Sequence, residues 1–317
     1  MRVAAKMARL GTETAFEMLA RAKALEAKGA HIIHLEIGEP DFDTPANIVE
    51  AAIAALRQGW THYGPSAGLP ELQAVIAKEA SDIRGVEYRP SQVVVTPGAK
   101  PIMFFVIMAL VDEGDEVIYP NPGFPIYESM INFVGGVPVP VQLREDREFR
   151  FDVAELKAKV TKKTKLIILN SPQNPTGGVL TKDDLSEVAR VAIDNDIAVL
   201  SDEVYRRIIY EGEHYSIASL PGMQERTIIL DGFSKTYAMT GWRLGYGICP
   251  PDLTPHITRL MTNSASCTAS FIQRAGIEAI TGPQAEPQRY VEEFRRRRDV
   301  IVDGLNSIPG FSCLRPQ

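Results

Sequence analysis

Short apolar runs alternate along the chain with stretches of helical periodicity. Six runs are rich in Val, Ile and Leu and lack the polar alternation of a strand with one face in water. They lie within 92–99, 115–124, 165–178, 197–205, 227–235 and 243–249, and helical stretches stand between them at 100–111, 125–136 and 181–194. Strands buried on both faces belong to a mainly parallel sheet covered by helices. The pattern predicts a three-layer α/β/α fold, in which the last run pairs antiparallel because little chain separates it from the run before.

Polar residues collect where the apolar runs stop. Gly98, Asn121, Asn174, Asp202 and Lys235 each follow such a run. In open α/β sheets, ligands bind outside the carboxyl ends of the strands. Each residue alone is compatible with an ordinary turn, but the five together predict a cofactor site at one edge of the sheet. The glycine-rich signatures of the common nucleotide sites do not occur in the chain.

Composition narrows the possible partners. The 317 residues are 45% apolar and 23% charged, with a formal net charge of −6. These values predict a globular protein with one large or two unequal domains. The negative charge disfavours nucleic acid or an anionic membrane as a partner. We interpret the basic cluster at 295–298 as mainly the solvated face of a helix, whose apolar stripe comprises Tyr290, Val291, Phe294, Ile301, Val302 and Leu305.

Cysteine and histidine usage gives no sign of a metal site. The three cysteines are scattered without disulfide or metal-ligand spacing, which is typical of a reducing cytoplasm. His31 and His34 fall in a strand-like segment at 31–37, and no zinc motif is present. No secretory or membrane-spanning apolar segment is found. We therefore expect a cytoplasmic protein without a metal or a membrane partner.

The side chains at the predicted sheet edge have complementary chemistry. A lysine in a dry site, such as Lys235, loses its proton readily and can form a Schiff base with a carbonyl compound. The Asp202 carboxylate, at a buried strand end, can keep a pyridine nitrogen protonated. Tyr205 and Asn174 can hydrogen-bond to a phenolate oxygen on the same ring.

A phosphate site is predicted beside these groups. The segment TPGAK ends a strand and opens a helix, so the N–H groups of Ala99 and Lys100 can bind a phosphate, helped by the helix dipole. Arg243 adds a bidentate phosphate partner, and Phe124 can lie on a ring face. An aldehyde, a phenolate, a basic ring nitrogen and a phosphate occur together in pyridoxal 5′-phosphate.

Five motifs resemble the class I aminotransferases of the aspartate aminotransferase superfamily, which are pyridoxal phosphate enzymes of fold type I. The motifs are GEPDFDTP, THYGPSAGLPEL, SPQNPTGG, SDEVY and SKTYAMTGWRLGY, and they follow the family's order over essentially the whole chain. The resemblance implies a ping-pong transfer of an amino group between an L-amino acid and a 2-oxo acid. Lys235 would form the internal aldimine and move the proton between Cα and C4′.

The resemblance also implies the remaining cofactor contacts. They are Asp202 at the pyridine nitrogen, Tyr205 and Asn174 at O3′, Gly98, Ala99, Lys100 and Arg243 around the phosphate, and Phe124 against the ring. Many relatives carry a serine three residues before the lysine, where this chain has Gly232. Ser234 is therefore either a substitute phosphate ligand or a loop hydroxyl, and both readings stay open. The Asn121–Pro122 and Asn174–Pro175 bonds match places where the family often has cis peptides.

Substrate and subunit contacts follow from the same resemblance. The Gly38 N–H would bind the substrate carboxylate, with Asn174 and Phe124 beside the substrate. Tyr63 would reach the phosphate of a neighbouring subunit in a homodimer. Glutamate and 2-oxoglutarate are the expected common pair. Lys100 also matches a position that contacts acidic side chains in some relatives, which favours aspartate or glutamate, although a helix-start lysine explains it equally well.

The resemblance divides the chain into three segments. Residues 1–45 would contribute to a small domain, 46–284 would form the large cofactor-binding domain, and 285–317 would begin an incomplete α+β small domain. In the family an arginine that binds the substrate carboxylate lies beyond this point. We therefore expect a C-terminally incomplete form that keeps most cofactor ligands and transaminates poorly.

Three alternatives share these sequence features. A C–S β-lyase of the same fold would use every cofactor ligand named above and would release pyruvate and ammonia. A non-catalytic pyridoxal phosphate-binding module and a non-functional remnant are the other two readings.

Overall fold

A seven-stranded sheet forms the centre of the computed structural model, which describes all 317 residues. Its strands are β1 (Val93–Thr96), β2 (Glu116–Asn121), β3 (Val137–Gln142), β4 (Thr164–Asn170), β5 (Ala198–Asp202), β6 (Thr227–Gly232) and β7 (Gly245–Ile248). They lie in the order β1-β7-β6-β5-β4-β2-β3. Strand β7 runs antiparallel to both of its neighbours, and all other pairs are parallel. The predicted mainly parallel sheet, with its last run antiparallel, is confirmed.

Helices cover both faces of this sheet. They are α1 (Thr14–Glu26), α2 (Ala46–Arg57), α3 (Pro70–Arg84), α4 (Lys100–Leu110), α5 (Ile126–Val134), α6 (Val153–Lys159), α7 (Lys182–Asp194), α8 (Thr254–Ala265), α9 (Ser270–Thr281) and α10 (Ala285–Asn306). The predicted helices at 100–111, 125–136 and 181–194 correspond to α4, α5 and α7. No helix of the structure has the length and apolar character needed to cross a membrane.

Alternate residues of the buried strands enter different apolar layers. Leu166 and Ile168 of β4 pack in a cluster with α4, α5 and α8, whereas Ile167 and Leu169 pack on the opposite face with α6 and α7. Helices α2, α3 and α9 extend that opposite layer over β1, β6 and β7. Because successive strand residues point to opposite faces, a run without polar alternation is buried on both sides. The three-layer architecture is confirmed.

Strand β3 was not among the predicted strands. Its sequence VPVPVQ contains Pro138 and Pro140, which cannot donate hydrogen bonds to a sheet. The strand lies at the sheet edge and pairs in parallel with β2 alone. An edge position tolerates proline because only one side of the strand needs a partner.

The strand expected at 31–37 is wrong for this structure. The segment adopts no strand pairing, since no other strand lies beside it to exchange backbone hydrogen bonds. Ile33 and Leu35 are 77% and 88% exposed. His34 lies between the carboxylates of Glu26 and Glu36, at 2.9 and 2.6 Å. The hydrogen bonds to these carboxylates raise the pKa of the His34 imidazole.

The basic cluster on α10 is only partly solvated. Arg295 and Arg296 are exposed as predicted, but Arg298 is buried, so that part of the prediction is wrong. The Arg298 guanidinium lies 4.9 Å from the Tyr210 ring centroid and 2.9 Å from the Glu211 carboxylate, and an aromatic face and a carboxylate together accommodate it. In the predicted apolar stripe Tyr290 and Val302 are buried, whereas Ile301 is exposed. The domain boundaries at 45 and 284 stay a prediction.

A buried ion pair ties α3 to the end of β5. Arg84 donates to the Glu203 carboxylate at 2.5 Å, and both side chains are almost fully enclosed. Ser201 and Ser216 also donate to this carboxylate, at 2.9 and 2.5 Å. Burial alone would raise the pKa of Glu203, but Arg84 and His214 outweigh burial and lower it. Glu203 directly follows Asp202, so this pair fixes the strand end that presents Asp202.

We expect Arg84→Met to lower the free energy of unfolding by about 3–5 kcal/mol, because the Glu203 carboxylate would stay buried without its cation. Denaturant unfolding followed by circular dichroism measures the change. Lys78→Met, on the same helix, removes only an exposed pair with Asp82 and should cost about 0–1 kcal/mol. Equal losses in the two variants would contradict a structural role for the buried pair.

Candidate active site

One large cavity opens at the carboxyl ends of the parallel strands. It has a volume of about 740 Å³. Ten of the predicted site residues line it: Gly38, Ala99, Lys100, Phe124, Asn174, Asp202, Tyr205, Ser234, Lys235 and Arg243. Gly98 lies against Arg243 at the cavity edge. Tyr63 does not line the cavity and is 89% exposed.

Lys235 enters the cavity from the turn that follows β6. Its amine donates to the Gly38 carbonyl oxygen at 2.7 Å and lies 5.7 Å from the centroid of the Tyr205 ring. Burial lowers the pKa of Lys235, the Glu39 carboxylate opposes that shift, and Arg243 adds to it. A desolvated amine with a lowered pKa gives up its proton more easily, which a lysine nucleophile requires.

Asp202 is the last residue of β5 and is buried. Desolvation of its carboxylate raises its pKa to about 6. The Tyr127 hydroxyl, from α5, donates to Asp202 Oδ2 at 2.5 Å and opposes that shift. Burial also raises the pKa of Tyr127 itself well above its usual value, so this hydroxyl keeps its proton and acts as a donor. Tyr127 was not among the predicted site residues.

An asparagine at the end of β4 joins the two neighbouring strand ends. Asn170 Nδ2 donates to the Asp202 carbonyl oxygen at 3.2 Å, and Asn170 Oδ1 accepts from the Asn174 N–H at 2.8 Å. Asn170 was also not predicted, although its place at a strand end, just before SPQNPTGG, was a usable signal. The predicted cis peptides at Asn121–Pro122 and Asn174–Pro175 are confirmed, and Ser171–Pro172 is a third.

Close packing presses the start of α4 against the sheet. A Cβ on Gly245 would lie 2.7 Å from Ala99 Cα, so only glycine permits this approach. Gly98 has φ +86°, and a side chain there would come within 2.8 Å of Arg243 Cζ. The Arg243 guanidinium therefore lies against Gly98, just before α4. The first N–H groups of that helix have no partner within it.

The side walls of the cavity include Phe124 and Lys100. The Phe124 ring meets Tyr127 edge to face, with 5.7 Å between the centroids. The Lys100 amine lies 5.3 Å from the Phe124 centroid and pairs with the Glu13 carboxylate. Ser234 lines the cavity near Lys235. Glu13, Glu39 and Thr240 are further lining residues that the sequence analysis did not identify.

The donor set fits pyridoxal phosphate. The cavity holds an amine of lowered pKa, a buried carboxylate and a phenol. Beside them lie a guanidinium and a helix start, and glycine is required at the close approaches around that start. These groups complement an aldehyde, a pyridine nitrogen, a phenolate and a phosphate, respectively.

Comparisons with known proteins agree with this chemistry. The sequence model of the family described as "Aminotransferase class I and II" matches residues 30–317. The "Probable aspartate/prephenate aminotransferase" of Aquifex aeolicus is 41% identical, over 99% of this chain and 81% of that protein. The solved aromatic aminotransferase of Pyrococcus horikoshii is 44% identical with a TM-score of 0.87, over 89% of this chain and 76% of that one. The solved aspartate aminotransferase of Rhizobium meliloti is 35% identical with a TM-score of 0.96, over 100% of this chain and 80% of that one.

We expect Tyr127→Phe to raise the pKa of Asp202 above about 6, because the buried carboxylate would lose the hydroxyl that favours its charged form. Carboxyl ¹³C NMR titration of the cofactor-free protein, assigned with Asp202→Asn, measures this value. Tyr119→Phe, which removes a buried hydroxyl beside Glu128 instead, should leave it unchanged. An unaltered Asp202 pKa in Tyr127→Phe would contradict the role of this hydrogen bond.

The raised pKa of Asp202 also affects how the stability of the protein depends on pH. The folded pKa of Asp202 lies above the ordinary value of 3.8, so the folded protein binds more protons than the unfolded chain between these two pH values. The Asp202 contribution to stability therefore decreases as the pH rises from about 4 to about 6. Tyr127→Phe should extend this decrease to higher pH.

Proposed function

Because the chain belongs to the class I and II aminotransferase family and is a pyridoxal phosphate-dependent transaminase of fold type I, we propose that the cavity at the strand ends is its active site. The observation that carries the assignment is the arrangement of Lys235, Asp202 and Arg243 around this one cavity. Each of these side chains matches a different functional group of the cofactor, and together they fix its orientation.

The residues of the cavity would hold the cofactor at three points. Asp202, kept in place by Tyr127 and Asn170, would pair with the pyridine nitrogen. Tyr205 and Asn174 would donate to the phenolate oxygen. Gly98, Ala99, Lys100 and Arg243 would surround the phosphate, with Ser234 as a further ligand and Phe124 against the ring. When bound, pyridoxal phosphate supplies the electron sink that receives the electron pair of the substrate Cα–H bond.

Lys235 would carry out the proton transfer. Its lowered pKa leaves a larger share of the amine unprotonated. The Nζ atom would therefore be able to condense with the cofactor aldehyde, with loss of water, and to take the proton from the substrate Cα. The Gly38 carbonyl oxygen, 2.7 Å from Nζ, holds the amine in the cavity. The Gly38 N–H and the side chains of Asn174 and Phe124 would orient the substrate.

The substrates are an amino acid and a 2-oxo acid. We infer that the amino group passes between them in two half-reactions, with glutamate and 2-oxoglutarate as one pair. The names of the relatives include aspartate, prephenate and aromatic aminotransferases, which is compatible with a site that accepts more than one side chain.

We further propose that the protein works as a homodimer. Tyr63 belongs to a motif of the cofactor site, yet it lies outside the cavity of its own chain with its ring exposed. A neighbouring subunit gives this side chain a phosphate to contact. A cytoplasmic location stays a prediction, which the three unpaired cysteines support.

We expect the protein to develop a visible absorbance band with added pyridoxal phosphate, because Lys235 Nζ bonds to the aldehyde. Lys235→Ala should show no such band, whereas Lys162→Ala, which removes an exposed lysine, should match the parent protein. Addition of glutamate should bleach the band of the parent. A band of equal strength in Lys235→Ala would overturn the proposed function.

The phosphate site can be tested separately. We expect Arg243→Met to weaken binding of pyridoxal phosphate by about 10- to 100-fold, the range for loss of a hydrogen bond to a charged group. The affinity for pyridoxal, which has no phosphate, should stay within about twofold of the parent value. Fluorescence titrations with the two compounds measure both constants. Equal weakening for both compounds would place Arg243 away from the phosphate.

A further inference from the structure

Glu13 and Lys100 form an ion pair inside the proposed active site. Glu13 directly precedes α1, yet its side chain does not cap that helix. Its carboxylate pairs instead with the Lys100 amine, and both residues line the cavity. The two side chains are 15% and 38% exposed, respectively. The N-terminal segment therefore places a carboxylate at the wall of the cavity.

The Lys100 amine is the one cationic group of the cavity that the proposed function does not assign to the cofactor. Three cationic side chains line the cavity, and the proposed function assigns Lys235 and the Arg243 guanidinium to the cofactor. The Lys100 N–H belongs to the phosphate site, but its amine extends to 5.3 Å from the Phe124 centroid, beside the proposed ring and substrate position. Of the other lining carboxylates, Glu36 bonds to His34 at 2.6 Å, Glu39 accepts from Thr240 at 2.8 Å, and Asp202 accepts from Tyr127 at 2.5 Å. Glu13 is thus the carboxylate that neutralises Lys100.

We propose that Glu13 is an exchangeable counterion of Lys100 that determines how the site handles acidic and uncharged substrates. An uncharged side chain leaves the Glu13–Lys100 pair intact, so that the partly exposed Lys100 amine keeps its counterion. A substrate with a second carboxylate takes the place of Glu13 at the Lys100 amine, since two adjacent carboxylates repel each other. This inference rests on the proposed function, because it takes the cavity to be the substrate site.

Succinate and butyrate provide a matched pair of probes. Both have four carbons, and succinate carries a second carboxylate where butyrate has a methyl group. Isothermal titration calorimetry of the cofactor-loaded protein gives the ratio of their affinities. We expect Glu13→Gln to shift this ratio in favour of succinate by about tenfold, as for a gained charge-assisted hydrogen bond. Glu17→Gln, which removes an exposed charge on α1, should leave the ratio within about twofold of the parent value.

A double-mutant cycle ties the effect to Lys100. In a Lys100→Met background, Glu13→Gln should no longer change the ratio, because the shared partner is gone. A ratio in Glu13→Gln within twofold of the parent, no detectable succinate binding to that variant, or the same shift with and without Lys100 would each overturn the inference. Circular dichroism confirms that each variant is folded. The cofactor band of the same samples reports on the proposed function independently, so a normal band with an unchanged ratio overturns this inference alone.

Discussion

The buried carboxylate of Asp202 is the constraint on which the rest of the site depends. Removing a carboxylate from water is unfavourable unless hydrogen bonds or a cation replace the lost hydration. Here one partner is the Tyr127 hydroxyl from α5, and the pKa remains raised despite it. The carboxylate is therefore only partly compensated by the protein. A protonated ring nitrogen would supply the missing positive charge. The unfavourable burial of the Asp202 carboxylate would therefore favour cofactor binding.

The proposed phosphate site depends on a second constraint, the close packing of backbone at the start of α4. Glycine at 245 lets Ala99 lie against β7, and Gly98 leaves room for the Arg243 guanidinium. Arg243 itself has φ +55°, a left-handed conformation that costs a side-chain-bearing residue about 1–3 kcal/mol. The Arg243 guanidinium donates to the Thr240 carbonyl oxygen at 2.8 Å, which helps to hold this turn. The strained turn thus brings the Arg243 guanidinium next to Gly98, just before the start of α4.

The sequence predicted the parts of the site that the sheet itself presents. Asp202 and Lys235 follow runs without polar alternation, and parallel strands necessarily bring such ends to one edge. Tyr127 and Glu13 could not be identified this way, because tertiary packing of α5 and of the N-terminal segment brings them in. The proline-rich β3 was missed because its strand propensity is low and its edge position compensates for this. For residues 31–37 the error was the reverse, because a strand was predicted and none forms. A strand-like pattern needs a neighbouring strand, and this structure has none beside the segment.

Electrostatics connect the N-terminal segment with the chemistry at Lys235. Burial and the Arg243 charge lower the pKa of Lys235, whereas Glu39 and Glu13 raise it. If Glu13 simply swung away, the amine would lose part of that opposing negative charge. Under the proposed exchange, however, a substrate carboxylate at Lys100 would replace one negative charge with another at nearly the same point. The exchange would therefore keep the electrostatic field at Lys235 similar for acidic and uncharged side chains, which would allow one lysine to act as the base in both proposed half-reactions.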